Sequence, residues 1–172
     1  MANFEEAQQI AMGDEGGYSN VSGDAGGETY CGISRHFHPD WEGWPSIDAK
    51  PHPIANNTIF PELQPMVDQW YDVDEWNTIL GDQISDQPTA DYFYDWHITS
   101  GGAVKQVQKV IGVTPDGIWG PASLSALNSN NYLTQIHQAR LAYYKSLNQP
   151  KFEAGWLSRS TNLYNKLINQ AA

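Results

Sequence analysis

The chain holds a single cysteine, Cys31, in 172 residues. One thiol excludes an internal disulfide and a multi-cysteine metal cluster, so folding has to rest on an apolar core. Basic residues are also scarce: nine Lys and Arg stand against twenty Asp and Glu, for a net charge of -11. The nine are scattered, whereas a phosphate backbone asks for a row of cations, and nucleic acid is excluded as a partner on that ground. The same balance gives no electrostatic attraction to anionic lipid or to a polyanionic envelope. Recognition then has to come from shape, hydrogen bonds and aromatic stacking, which suit carbohydrate. No apolar run is long enough to span a membrane, and Met1-Ala2-Asn3-Phe4-Glu5-Glu6 has neither the basic region nor the apolar core of a secretory leader.

What is present is apolar and aromatic. Hydrophobic residues make up 40% of the chain, with seven Trp and nine Tyr, against 17% charged. Disorder, collagen and coiled coil are excluded, and the length fits one domain over residues 1–172. Asn3 is placed to cap a short helix in which Phe4, Ala7, Ile10 and Ala11 recur at helical spacing up to Gly13. From Gly16 to Gly32 the chain is glycine-rich and reads as loop with a short β-hairpin around Glu28-Thr29-Tyr30. Prolines at 45, 51, 53, 61 and 65 break any long helix between Trp41 and Pro65, which leaves an irregular excursion with short helical turns.

Beyond it the pattern turns helical. Val67, Trp70, Tyr71 and Val73 mark one element and Thr89 to Ile98 a second, heavily aromatic one. Ala103, Val104, Val107, Val110 and Ile111 form an apolar stripe closed by Gly112. Val113-Thr114-Pro115-Asp116-Gly117 is a turn, Gly120-Pro121 opens a short helix, and Tyr132 to Leu147 and Pro150 to Ile168 supply two longer ones. The sum is a mainly α fold with a small β element. It reads as two lobes of one domain, 1–86 and 87–172, with a cleft between them.

The most informative stretch is Asp14-Glu15-Gly16-Gly17-Tyr18, followed by Asp24 and Gly26-Gly27-Glu28-Thr29. Two acids in a loop are also what a solvated surface carries. The surrounding glycines, however, leave room for a bulky ligand, and nearby aromatics such as Tyr18 and Tyr30 pack on sugar rings. Cleavage of a glycosidic bond needs one protonated carboxyl and commonly a second carboxylate as base or nucleophile; Glu15 and Asp24 are the candidates. Trp41 and Trp44, in the proline-broken segment, are expected to line the groove, whereas Trp70, Trp96 and Trp156 are expected in the core.

Two other readings stand beside this one. His36 and His38, two apart on an extended strand, share a face, and with Asp40 or His52 they would make a zinc site and a wall amidase or peptidase. Pro115-Asp116-Gly117-Ile118-Trp119-Gly120-Pro121 is similar to the turn of peptidoglycan-binding helical modules, which would make the chain a non-catalytic wall binder.

In order and spacing, the Asp14–Tyr18 and Gly23–Ser34 motifs resemble the N-terminal signature of glycoside hydrolase family 108, the N-acetylmuramidases. Tyr94-Asp95, Ser100-Gly101, Val107-Gln108, Asp116-Gly117, Gly120-Pro121 and Gly155-Trp156-Leu157-x-Arg159 resemble the predicted peptidoglycan-binding segment that follows there. The resemblance implies a lysozyme-like α+β fold with its β-hairpin near the active site, and lobe 1–86 as the catalytic one. It also implies cleavage of the β-1,4 bond between N-acetylmuramic acid and N-acetylglucosamine, with Glu15 as general acid and Asp24 and Thr29 assisting. Substrate contacts are expected from Tyr18, Tyr30, Trp41, Trp44, Asp95 and Thr99, with Asp95 also read as a structural acid that caps or bonds a loop across the cleft. Thr29 lies five after Asp24 where phage-type lysozymes have six, and Thr99 stands where the family commonly has asparagine. No metal or other cofactor is called for, and the partner is the glycan strand of peptidoglycan, met by a monomer. Without a leader, the chain is expected to be made in a host cytoplasm and to reach the periplasm or wall through a holin, as a phage endolysin, or through a secretion system.

Overall fold

A computed structural model describes residues 1–13, 16–21 and 27–170. They form a mainly α fold with one small antiparallel sheet. Two compact units divide the chain: residues 12–73 form the smaller, and 1–11 with 74–172 the larger.

In the smaller unit, β1 (Tyr18–Ser19), β2 (Thr29–Tyr30) and β3 (Ile33–Ser34) pair in chain order, with Tyr18 opposite Tyr30 and Thr29 opposite Ser34. The expected hairpin is thus a three-stranded meander. Its β2–β3 turn is Cys31-Gly32, both at positive φ, 45° and 82°. That backbone matches the strand twist in a two-residue hairpin, though its usual residues are Asn-Gly. Loop 56–58 closes the free edge of β1: Tyr18 N donates to Thr58 O at 2.8 Å and Asn57 N to Tyr18 O at 2.7 Å. The proline-broken excursion contains two short helices, α2 (Trp44–Asp48) and α3 (Gln64–Trp70), each with a proline in its first turn. A six-residue π-helix, Tyr71–Trp76, follows α3.

The larger unit wraps a central helix, α4 (Gln87–Thr99). Asp86 caps it by accepting from Thr89 N at 2.9 Å. Eight consecutive residues of α4, Thr89 to Trp96, are buried, so no face is left for water and the helix is surrounded rather than amphipathic. Around it lie α1 (Phe4–Met12), α5 (Ala103–Val110), α7 (Leu133–Ser146) and α8 (Pro150–Gln170), with α6 (Pro121–Leu127) beside α5 in sequence. Asn3 caps α1 as the sequence implies, its side chain accepting from Glu6 N at 3.0 Å. Trp96 is fully buried, as expected, whereas Trp70 and Trp156 are half-buried. No helix among the described residues is long and apolar enough to cross a membrane.

Burying all of α4 also buries Asp91, whose pKa is pushed up to about 7, chiefly by loss of water. In the unfolded chain the group titrates near 3.8. The native state therefore holds the proton more tightly, and stability present at low pH is lost as pH rises from about 4 through about 7. Asp91→Asn removes that penalty. It should raise stability at pH 8 by on the order of 2 kcal/mol, seen as a higher thermal midpoint, and change little at pH 4. Melting curves at the two pH values check this; an equal shift at both would contradict it.

Candidate functional site

Glu15 and Asp24 lie outside the described residues, and what is described is the sheet that flanks them. Glu15 sits three residues before β1, and Asp24 sits in the connection between β1 and β2. α1 ends three residues before Glu15, and the meander takes up the chain after Glu15 and on both sides of Asp24.

The backbone constraint at Gly17 is severe. A Cβ there would fall 2.0 Å from the Thr58 carbonyl oxygen, because loop 56–58 presses directly on the strand entry. Gly17→Ala has to displace that loop, and a loss of about 1–3 kcal/mol is expected, seen as a lower thermal midpoint. Substitution of the neighbouring Asn57, at φ 65°, by glycine should be tolerated by comparison.

Thr29 is half-buried on β2, and its hydroxyl donates to Gly27 O at 3.3 Å. Beside it, Glu28 forms an ion pair with Arg35, Nε to Oε2 at 2.8 Å, and Arg35 reaches Asp48 at 2.7 Å and lies 4.4 Å over the Trp44 ring. The Tyr18 hydroxyl also engages Glu28 and is bonded by Asn20 at 3.4 Å. Burial in the first place, with Glu28 adding, raises its pKa. Sequence reading gave no role to Glu28 or Arg35; the signal for the pair was their separation of seven across a hairpin, legible only once the turn at Cys31-Gly32 is known.

The aromatic residues expected to meet sugar are placed differently. Tyr30 is 1% exposed, with Trp41 stacked on it at 5.9 Å and Phe60 at 5.8 Å. Its hydroxyl donates to Phe60 O and accepts from Phe60 N at 2.8 Å, and burial pushes its pKa up to about 12. Trp41 and Trp44 are 7% and 3% exposed, packed edge to face at 5.0 Å, and Trp44 Nε1 donates to His38 O at 2.7 Å. With Tyr18 they make the core of the smaller unit, which corrects their expected place in the groove. An irregular segment cannot stabilise itself by helix hydrogen bonding, so it recruits the large side chains inward.

Asp95 is buried in the same way, whereas Thr99, at the end of α4, is exposed. The Asp95 carboxylate is 1% exposed and lies 2.7 Å from Arg140 Nη2 and 2.7 Å from Arg159 Nη2, tying α4 to α7 and α8. The Thr99 hydroxyl donates to Asp95 O at 2.6 Å and accepts from Arg140 at 3.3 Å. Arg140, 1% exposed, sits over the rings of Tyr92, Trp96 and Tyr144. Burial acts to lower its pKa, but the Asp95 carboxylate and flanking tyrosines more than offset this, and it lies above the usual arginine value. As placed, Asp95 serves packing within the larger unit, tying α4 to α7 and α8.

The zinc reading loses its geometric premise. Residues 34–38 wind into a turn, with His38 N donating to Ser34 O at 2.8 Å, so His36 and His38 are not on one extended strand. His38 packs edge to face on Trp70 at 4.8 Å, and His36, Asp40 and His52 are exposed. Among the described residues no group of three or more His, Cys, Asp or Glu is placed to hold a metal ion. The turn at 113–120 is organised from below by Gln108, 1% exposed, which donates to Asp116, to Ile118 O and to Ser123 and accepts from Gly117 N at 2.8 Å.

The family model described as Glycosyl hydrolase 108 matches residues 8–101. Among solved structures, the chain is similar to that titled "Structure of Brucella abortus SagA", with a TM-score of 0.73 and 28% identity, over 96% of this chain and 94% of that one. Comparison with curated proteins gives no match.

Proposed function

The chain belongs to the glycosyl hydrolase 108 family and is a glycoside hydrolase of the lysozyme-like type; on that premise we propose that it cleaves the β-1,4 bond between N-acetylmuramic acid and N-acetylglucosamine in peptidoglycan, with Glu15 as the proton donor. What supports this is that the family match, residues 8–101, takes in both Glu15 and Asp24 together with the whole meander between and after them. In the proposed reaction Glu15 protonates the glycosidic oxygen as the bond to the anomeric carbon breaks. Asp24 deprotonates the water that adds to that carbon from the other face, and Thr29 helps to position that water. The anomeric configuration then inverts.

Purified peptidoglycan digested with the full chain provides the test. Products should carry new reducing ends at muramic acid, without new free amines, and a chelator should not slow their release. Reducing ends at glucosamine, or soluble fragments released only by amide cleavage, would overturn the proposed bond.

A further inference from the structure

The last turn of α1 is held from outside the helix. A helix leaves its final carbonyls without intrahelical donors, and cations are favoured beside them because that end of the helix dipole is negative. α1 carries no basic residue in its last turn. The guanidinium comes instead from α8, 148 residues along the chain, where Arg159 Nη2 donates to Ala11 O at 3.1 Å. In a helix continued past Met12, that carbonyl would accept from the N–H of residue 15. Arg159 thus grips α1 at the carbonyl four residues before Glu15.

The grip is anchored at its other end. The same Nη2 donates to Asp95 Oδ1 at 2.7 Å, and the second Asp95 oxygen lies 2.7 Å from Arg140 Nη2, with Asp95 and Arg140 each 1% exposed. One nitrogen with two hydrogens therefore ties the α1 carbonyl to a carboxylate fixed in the core. One turn earlier Gln8, 6% exposed, accepts from Tyr94 Oη at 2.6 Å, so α4 holds α1 at two successive turns, directly at Gln8 and through Arg159 at Ala11. All of these residues lie in the larger unit. Stability does not account for the arrangement, because Arg159 is 42% exposed and an ion pair open to water contributes little to folding. What it does fix is direction, and a reacting group displaced by about 1 Å loses on the order of a hundredfold in rate.

We propose that Arg159 is a positioning residue for Glu15, acting along the chain through the last turn of α1. The role rests on the reading of Glu15 as proton donor above. In it the guanidinium fixes the C-terminal end of α1, and α1 fixes where the chain to Glu15 begins. An effect of this kind is felt as the proton is handed over and not as the glycan binds, so it falls on kcat and leaves KM. It also disappears once residue 15 has no proton to hand over.

The test is a double-mutant cycle on the full chain, with soluble peptidoglycan fragments as substrate, comparing release of reducing ends by the parent, Arg159→Met, Glu15→Gln and the double variant. Arg159→Met should lower kcat about ten- to a hundredfold with KM within about twofold of the parent, and its melting curve should stay close to the parent's. In the Glu15→Gln background the same substitution should cost less than about twofold. Additive losses, a rise in KM with kcat kept, or full activity in Arg159→Met would each overturn the role. If Arg159→Met melts well below the parent, Arg159→Gln, which keeps a side-chain donor, is read by the same criteria. A parent that releases no reducing ends overturns the hydrolase reading and this role with it, whereas an active parent with an unaffected Arg159→Met overturns this role alone.

Discussion

Glu15→Gln is expected to lower the release of reducing ends from peptidoglycan by at least about a thousandfold while leaving the thermal midpoint within about a degree of the parent. The amide keeps the size and polarity of the carboxyl and removes only its transferable proton. A leaving sugar oxygen must then depart as an alkoxide or borrow a proton from water, which is the contribution that a positioned acid otherwise supplies. Initial rates across pH should separate this from a general disturbance. Loss of an acid removes the limb of the profile on which activity falls as that acid ionises, whereas a misfolded variant loses rate evenly. Asp24→Asn should act on the opposite limb. A Glu15→Gln protein retaining a tenth of the parent rate would eliminate Glu15 as the donor, and the family membership would then have to be expressed through another acid.

Helices with a one-sided apolar stripe were legible in the sequence because their periodicity records which face is dry. The α1 cap at Asn3, α5 with its closing Gly112, and both long C-terminal helices fall where the spacing puts them. α4 was legible as a helix but not as the centre of the larger unit. A run such as Asp91-Tyr92-Phe93-Tyr94-Asp95-Trp96 has no polar side to assign, and its acids look like surface residues until their partners, Gln87, Arg140 and Arg159, are known. Those partners lie 4, 45 and 64 residues away. Only the first is within reach of a local pattern.

The candidate site divides in the same manner. The glycine-rich motifs around its two proposed acids were legible in the sequence, because close approach of backbone constrains residue type position by position, as at Gly17 against Thr58. The aromatics were not, since Trp41 in a proline-broken loop has the same sequence environment whether it faces a sugar or stacks on Tyr30. What separates those outcomes is the presence of Phe60 on the far side of the tyrosine, thirty residues on.

The long-range tie at Asp95 carries the second large effect. Asp95→Ala removes the one carboxylate among the described residues that contacts Arg140, whose guanidinium is 1% exposed and has no water to turn to. An uncompensated buried charge costs far more than the pair contributes, and a loss of about 3–5 kcal/mol is expected in denaturant unfolding. The aromatic faces of Tyr92, Trp96 and Tyr144 soften this only in part, because they offer the cation a quadrupole and no hydrogen-bond acceptor in the guanidinium plane. Arg140→Met in the same background should recover part of the loss, since the apolar side chain suits that cage and no charge remains to satisfy. Arg159→Met alone should cost about 1 kcal/mol or less, its side chain being 42% exposed and able to hydrate. If Asp95→Ala and the double variant Asp95→Ala/Arg140→Met unfold at the same denaturant concentration, the buried charge is not what makes Asp95 necessary. The carboxylate would then matter for its position on α4 rather than for its partner on α7.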